Sequence, residues 1–152
     1  MDPSDNSWPN RGTELNREQE FLDRWHSEQK MYLKWGELVS KKVEQCLVPI
    51  IAPIKTGYFL RTVVKPRLKD DLKLVEKAFY RNKNYDNPYD RITDKVGTRF
   101  VVLLGREIRQ VVNALEGIPD WTLSKDRDYE EEQNKNPIAF DYAAVHFVVR
   151  PN

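Results

Sequence analysis

Three groups of side chains in this chain have types and spacings that could do chemistry. The first is a basic row, Lys69, Lys73, Lys77 and Arg81, each four residues after the last, with Arg67 just ahead of it. On a helix such positions lie one turn above the next along one face. A polyphosphate needs several cations in line, and arginine adds planar bidentate contacts that lysine cannot make. The second is Asp94, at the mouth of the apolar run 96–104, with Gly97 and Arg99 behind it. An acid at the edge of a buried strand is placed to hold a metal ion, and a glycine there lets a ligand or another backbone come close. The third is Tyr142 with His146, which share a face if their segment is extended; the tyrosine can stack on a base and the histidine can bond a phosphate. Each group also has a plain reading: a solvated helix face, a strand start with a paired arginine, and a structural Tyr and His.

These residues need elements to hold them. The valine-rich run 96–104 reads as a central strand covered on both faces, entered through the polar turn 91–94. Residues 70–81 read as a helix, with Asp70 and Asp71 at its positive end and Leu72, Val75 and Phe79 as its inner face. Upstream, Phe21, Trp25, Tyr32, Trp35, Val39, Val43 and Cys46 recur at helical spacing, one apolar face of a long helix or of two. Asn16 could cap it, residues 26–30 and Gly36 are candidate breaks, and Pro49 and Pro53 end it. Residues 58–65 alternate and read as a strand, 106–116 as a helix closed by Gly117, 121–125 as a short strand, 126–137 as an acidic loop and 143–150 as a last strand. The order predicts an α/β or α+β fold with a mixed sheet flanked by helices. It divides into a disordered lead-in over 1–13, a helical segment over 14–57 and a core over 58–152.

Composition bounds the function classes. At 152 residues, 39% hydrophobic and 32% charged, the chain has the make-up of one polar globular domain. Its apolar runs stay well short of the roughly 20 residues a membrane span needs. No basic-then-apolar leader opens it, so a cytoplasmic protein is the expectation. The single cysteine, Cys46, falls on the apolar helical face and is expected to be buried and inert. Net charge is only +1, but residues 55–109 hold 14 Lys and Arg against 7 Asp and Glu, and 126–132 hold 5 acids and 1 Arg. A basic middle favours a phosphate-rich partner.

Taken together, these motifs resemble the synthetase domain of the RelA/SpoT family, which makes guanosine tetra- and pentaphosphate. The likeness covers about residues 58–152. The family's Arg-x-Lys pair matches Arg67 and Lys69, its later lysine matches Lys77, and Lys73 stands where the family has a serine. The family's Asp-x-x-Gly/Ala-x-Arg strand entrance matches Asp94, Gly97 and Arg99, and its Tyr-x-x-x-His matches Tyr142 and His146. The resemblance implies a nucleotidyltransferase-like fold and transfer of pyrophosphate from ATP to the 3′-hydroxyl of GDP or GTP. It implies Arg67, Lys69, Lys73, Lys77 and Arg81 on ATP and its phosphates, with Asp94 and Arg99 as catalytic residues. It also implies Asp94 as the Mg²⁺ ligand and Tyr142 and His146 at the acceptor guanine. Asp141 stands where the family has glycine and Ile138 where it has a basic residue. The family's Glu-x-Gln-x-Arg-Thr strand, with its second carboxylate, follows the histidine and has no counterpart before Asn152. A C-terminally truncated synthetase or a degenerate copy is therefore expected. Two alternatives stay open: a toxin of the same family that pyrophosphorylates the 3′ end of tRNA, and a non-catalytic nucleotide-binding module. A second copy of the chain or an antitoxin also remains open as a partner.

Overall fold

The computed structural model describes residues 11–81, 87–135 and 143–152, and for 11–14 the backbone alone. Its spine is α1 (Arg11–Ile51), followed by α2 (Thr56–Phe59), β1 (Arg67–Leu68) and α3 (Asp71–Val75), which runs on into a π turn, Glu76–Tyr80. Then come α4 (Pro88–Arg91), β2 (Val96–Gly97), α5 (Gly105–Glu116), β3 (Trp121–Asp128), α6 (Tyr129–Lys135) and β4 (Val145–Pro151). Helices and small antiparallel sheets make this an α+β fold. No helix among the described residues is long and apolar enough to cross a membrane.

The chain is organised around α1 rather than around 96–104. The helix is unbroken through 26–30 and through Gly36, it takes in residues 11–13 of the expected lead-in, and Pro49 sits inside its last turns. Its apolar face serves two cores in succession. Phe21 and Trp25 pack with Leu74, Ala78, Tyr89 and Ile92. One end further on, Val39, Val43, Leu47 and Ile51 pack with Phe59, Leu60, Ala114, Ile118 and Trp121. Cys46 lies half-buried against that second core, as its place on the apolar face implies.

Between the two cores Gly36 lets the sheet touch the helix. A Cβ built on Gly36 would meet Pro66 Cβ at 2.8 Å and Val96 Cγ2 at 3.0 Å. One turn on, Ser40 donates to Gly36 O at 2.7 Å and lies 2.8 Å from the Thr98 hydroxyl. Gly36→Ala gains about 1 kcal/mol of helix propensity but loses about 1–3 kcal/mol to overpacking. A lower urea midpoint is therefore expected, where an exposed helical glycine would give a higher one.

Among the described residues the strands pair as two separate antiparallel ribbons where the sequence predicts one mixed sheet. In the first, Arg67 faces Gly97 and Leu68 faces Val96. Lys69 N–H to Lys95 O at 2.9 Å continues that register, while Arg61 N–H to Val101 O at 2.7 Å ties the two segments together two residues out of it. Residues 58–65 are not a strand: Tyr58 and Phe59 close the single turn α2, because Phe59 is drawn into the core beside α1. Only 96–97 of the expected central strand pairs fully; Phe100 and Val102 turn toward the second core, while Leu103 and Leu104 stay exposed.

In the second ribbon β3 pairs with β4 from Trp121 opposite Pro151 to Asp128 opposite Val145, with a bulge at Asp126. The expected acidic loop is instead the end of β3 and the helix α6, whose first turn holds Glu130, Glu131 and Glu132 at its positive end. Basic partners neutralise these acids. Asp128, 3% exposed, accepts from Arg109 Nη2 at 2.6 Å, Lys125 Nζ at 3.2 Å and Glu130 N–H at 3.0 Å. The Arg109 bond, first among these, holds the Asp128 carboxyl at about 2 against an ordinary 3.8. A depressed carboxyl adds stability that is present above its unfolded value and lost as pH falls through its folded one. We expect Asp128 to contribute about 2 kcal/mol at pH 6, lost between about pH 4 and 2. Urea unfolding across that range should show a shallower acid loss in Asp128→Asn than in the wild type.

Candidate nucleotide-phosphate site

The start of α3 is fixed from two sides. Asp70 caps it, with Oδ1 accepting from Leu72 N–H at 3.0 Å and Lys73 N–H at 3.4 Å. Asp71 is gripped by α1: the buried Trp25 Nε1–H donates to its Oδ1 at 3.1 Å, and His26 Nε2 lies 2.6 Å from its Oδ2. These anchors set the helix rotation. Leu74 and Ala78 face α1, with Val75 and Phe79 partly buried beside them. Leu72, expected inside, is 80% exposed, because the Asp71 anchor turns position 72 outward.

That rotation brings part of the basic row to Asp94. Lys69 Nζ donates to Asp94 Oδ2 at 2.5 Å, across 25 residues of sequence. Lys77 Nζ lies 3.8 Å from the same oxygen. Lys73 and Arg81 are exposed and do not join them. The row is not a straight stack, because the π turn widens the helix at 76–80 and breaks the four-residue register. Asp94 Oδ1 bonds nothing among the described residues, and the carboxylate is more than half exposed. Arg67 stands opposite Gly97, exposed, and a Cβ on Gly97 would meet only open space. Protein packing therefore does not call for a glycine there.

Lys95 underpins this cluster, and sequence reading passes over it. It is 5% exposed, its ammonium donates to Ile92 O at 3.0 Å, and it lies 4.5 Å from the Tyr89 ring and 5.3 Å from the Tyr32 ring. Burial pushes its pKa down. The bond to Ile92 O closes the turn that presents Asp94, and the Lys95 carbonyl accepts from Lys69 N–H. The one available signal was a lysine set directly against the apolar run. Trp25 and His26 are missed likewise, since their partner Asp71 is 46 and 45 residues away.

The other expected site residues lie apart. Arg99 is exposed, two residues beyond Gly97, and makes no ion pair among the described residues. His146 is exposed on β4 opposite Arg127. Tyr142 lies outside the described residues. Among those residues no group of three or more His, Cys, Asp or Glu side chains could hold a metal. Mg²⁺, however, is commonly held by one or two carboxylates together with substrate phosphates. Asp94, with one oxygen open and two lysines able to turn to phosphates, fits that donor set. No family model, curated protein or solved structure matches the chain.

Proposed function

We propose that the Lys69–Lys77–Asp94 cluster, with Arg67 beside it, binds the triphosphate of ATP, and that the chain transfers pyrophosphate to the 3′-hydroxyl of GDP or GTP. The observation that carries this reading is the meeting of Lys69, Lys77 and Asp94 at one point next to the open face of Gly97. Two motifs far apart in sequence supply those residues, in the order that resembles the RelA/SpoT synthetases. Pyrophosphoryl transfer needs little beyond positioning and neutralised charge, so clustered cations are its main requirement. With nucleotide absent, the two ammoniums pair with Asp94. With it present, they pair with phosphate oxygens and release the carboxylate. Asp94 would then be free to hold Mg²⁺, which would supply charge neutralisation for the transfer. A nucleotidyltransferase-like arrangement, with Tyr142 and His146 at the acceptor and a cytoplasmic setting, belongs to the same reading.

Thin-layer separation of products from labelled ATP with GDP, GTP or tRNA tests it. Label moving to GDP or GTP supports the reading. Label moving only to tRNA assigns the acceptor to the toxin branch, and no transfer leaves a nucleotide-binding module. Binding alone makes a further prediction. Lys77→Ala and Arg67→Ala should each weaken ATP by about 1–3 kcal/mol in an equilibrium titration, less at high salt. Unchanged affinity in both variants would return these cations to an ordinary solvated surface.

A further inference from the structure

The turn that presents Asp94 is clamped by a side chain where a backbone bond would ordinarily close it. Ile92 and Lys95 are buried, 4% and 5% exposed, while Thr93 and Asp94 between them are exposed. In a hydrogen-bonded β-turn the first carbonyl accepts from the N–H three residues on. Among the described residues no backbone bond joins Lys95 N–H to Ile92 O; the Lys95 ammonium donates to that carbonyl instead, at 3.0 Å. The Lys95 carbonyl in turn accepts from Lys69 N–H, so the same residue ties Lys69 to the turn. The cation has no acid of its own. Its ammonium stands 4.5 Å from the centre of the Tyr89 ring and 5.3 Å from that of Tyr32. The nearby acids are engaged elsewhere: Glu28 accepts from the Tyr89 hydroxyl, and Asp90 pairs with Arg24 at 3.0 Å. Burying an ammonium without a carboxylate is costly, and here one carbonyl and two aromatic rings are what offset it. An apolar side chain of the same length would fill the space without that cost.

We propose that Lys95 is a positioning residue, whose ammonium holds the turn 92–95 so that the Asp94 carboxylate stands where Mg²⁺ and the nucleotide phosphates can share it. This role rests on the reading of Asp94 as the Mg²⁺ carboxylate. With both ends of the turn buried and no backbone bond across it, the ammonium is the clamp that fixes the two exposed residues between them. Groups that orient a metal ligand without touching the metal commonly cost about 10–100-fold in affinity or activity when removed. The aromatic cage comes from two directions: Tyr89 from α4, and Tyr32 from α1, which already anchors α3 through Asp71. The helix that sets the rotation of Lys77 therefore also supports the turn of Asp94.

The test is the Mg²⁺ enhancement, the ratio of ATP affinity with Mg²⁺ to that without it, measured by calorimetry on the full chain beside urea unfolding. Lys95→Met keeps the length and the apolar stem and removes the ammonium. ATP without Mg²⁺ should bind as in the wild type, because Lys69 and Lys77 remain. The enhancement should fall by about tenfold or more. The urea midpoint should move little, since relief of a buried cation and loss of one bond to a carbonyl oppose each other. Tyr32→Leu removes one ring of the cage and leaves the turn's own sequence intact. It should cut the enhancement by about two- to tenfold, and it decides the matter alone if Lys95→Met does not fold. A lower urea midpoint with an unchanged ratio would confine Lys95 to packing and overturn the proposal. Asp94→Asn tells this failure from a failure of the site. Enhancement lost in Asp94→Asn but kept in Lys95→Met and Tyr32→Leu would sink the role of Lys95 alone. Enhancement kept in Asp94→Asn would sink the reading of the site and the role of Lys95 with it.

Discussion

In a form that carries the second metal carboxylate, Asp94→Asn is expected to abolish pyrophosphoryl transfer while leaving the fold in place. Asparagine keeps the shape and removes the charge. A bound metal is worth several kcal/mol of charge stabilisation in the transition state, so losing its carboxylate should cost on the order of 10³-fold in kcat/KM. The fold should survive because the carboxylate is more than half exposed and its partners are two solvent-accessible lysines. Binding should separate from turnover. Asp94→Asn removes the anion that Lys69 and Lys77 share, so ATP without Mg²⁺ should bind as well as in the wild type or better. Wild-type transfer by Asp94→Asn, or unfolding seen by circular dichroism, would make Asp94 a structural ion-pair partner.

Trp25→Ala is expected to give the largest loss of stability, about 3–5 kcal/mol by urea unfolding. Its indole is fully buried in the first core, with Leu74, Ala78 and Tyr89 in the same cluster. It also donates to Asp71 and so sets the rotation of α3. Trp25→Phe separates the two roles. It keeps most of the packing and removes the N–H, for a smaller cost of about 1–3 kcal/mol. If the anchor positions Lys77, Trp25→Phe should also weaken ATP at temperatures where the variant is fully folded. A stability loss with unchanged ATP affinity would confine Trp25 to packing.

The parts of this molecule that sequence makes legible are those set by local rules. The apolar stripe of α1, the acids at the positive end of α3, the helix α5 and the last strand follow from spacing and dipole chemistry, whereas Asn16, expected as a cap, lies inside α1. What stays hidden depends on distant contacts. Gly36 reads as a helix breaker, but it is the seat of Pro66 and Val96. Leu72 fits the apolar period of its segment, yet the bonds of Asp71 to α1 turn Leu74 inward instead. The run 129–135 is too acidic to suggest a helix until Arg109, Lys125 and Arg127 are brought beside it. Within the candidate site, Lys69 and Asp94 are legible from their motifs. Lys95 is not, because a buried lysine is recognisable only once Tyr32 and Tyr89 are seen to enclose it. The drift of Lys73 and Arg81 away from the cluster is equally hidden, since no local rule foretells the π turn at 76–80.

The measurement that tests the central claim most directly is calorimetric titration of ATP into the chain at fixed ionic strength, with and without Mg²⁺, beside the Lys69→Met/Lys77→Met variant. The account predicts one site whose affinity rises when Mg²⁺ is supplied, and loss of that site in the double variant while its circular dichroism stays that of the wild type. Equal ATP affinity in the double variant and the wild type would contradict it, and would leave the meeting of Lys69, Lys77 and Asp94 as an ion pair that only ties α3 to the ribbon.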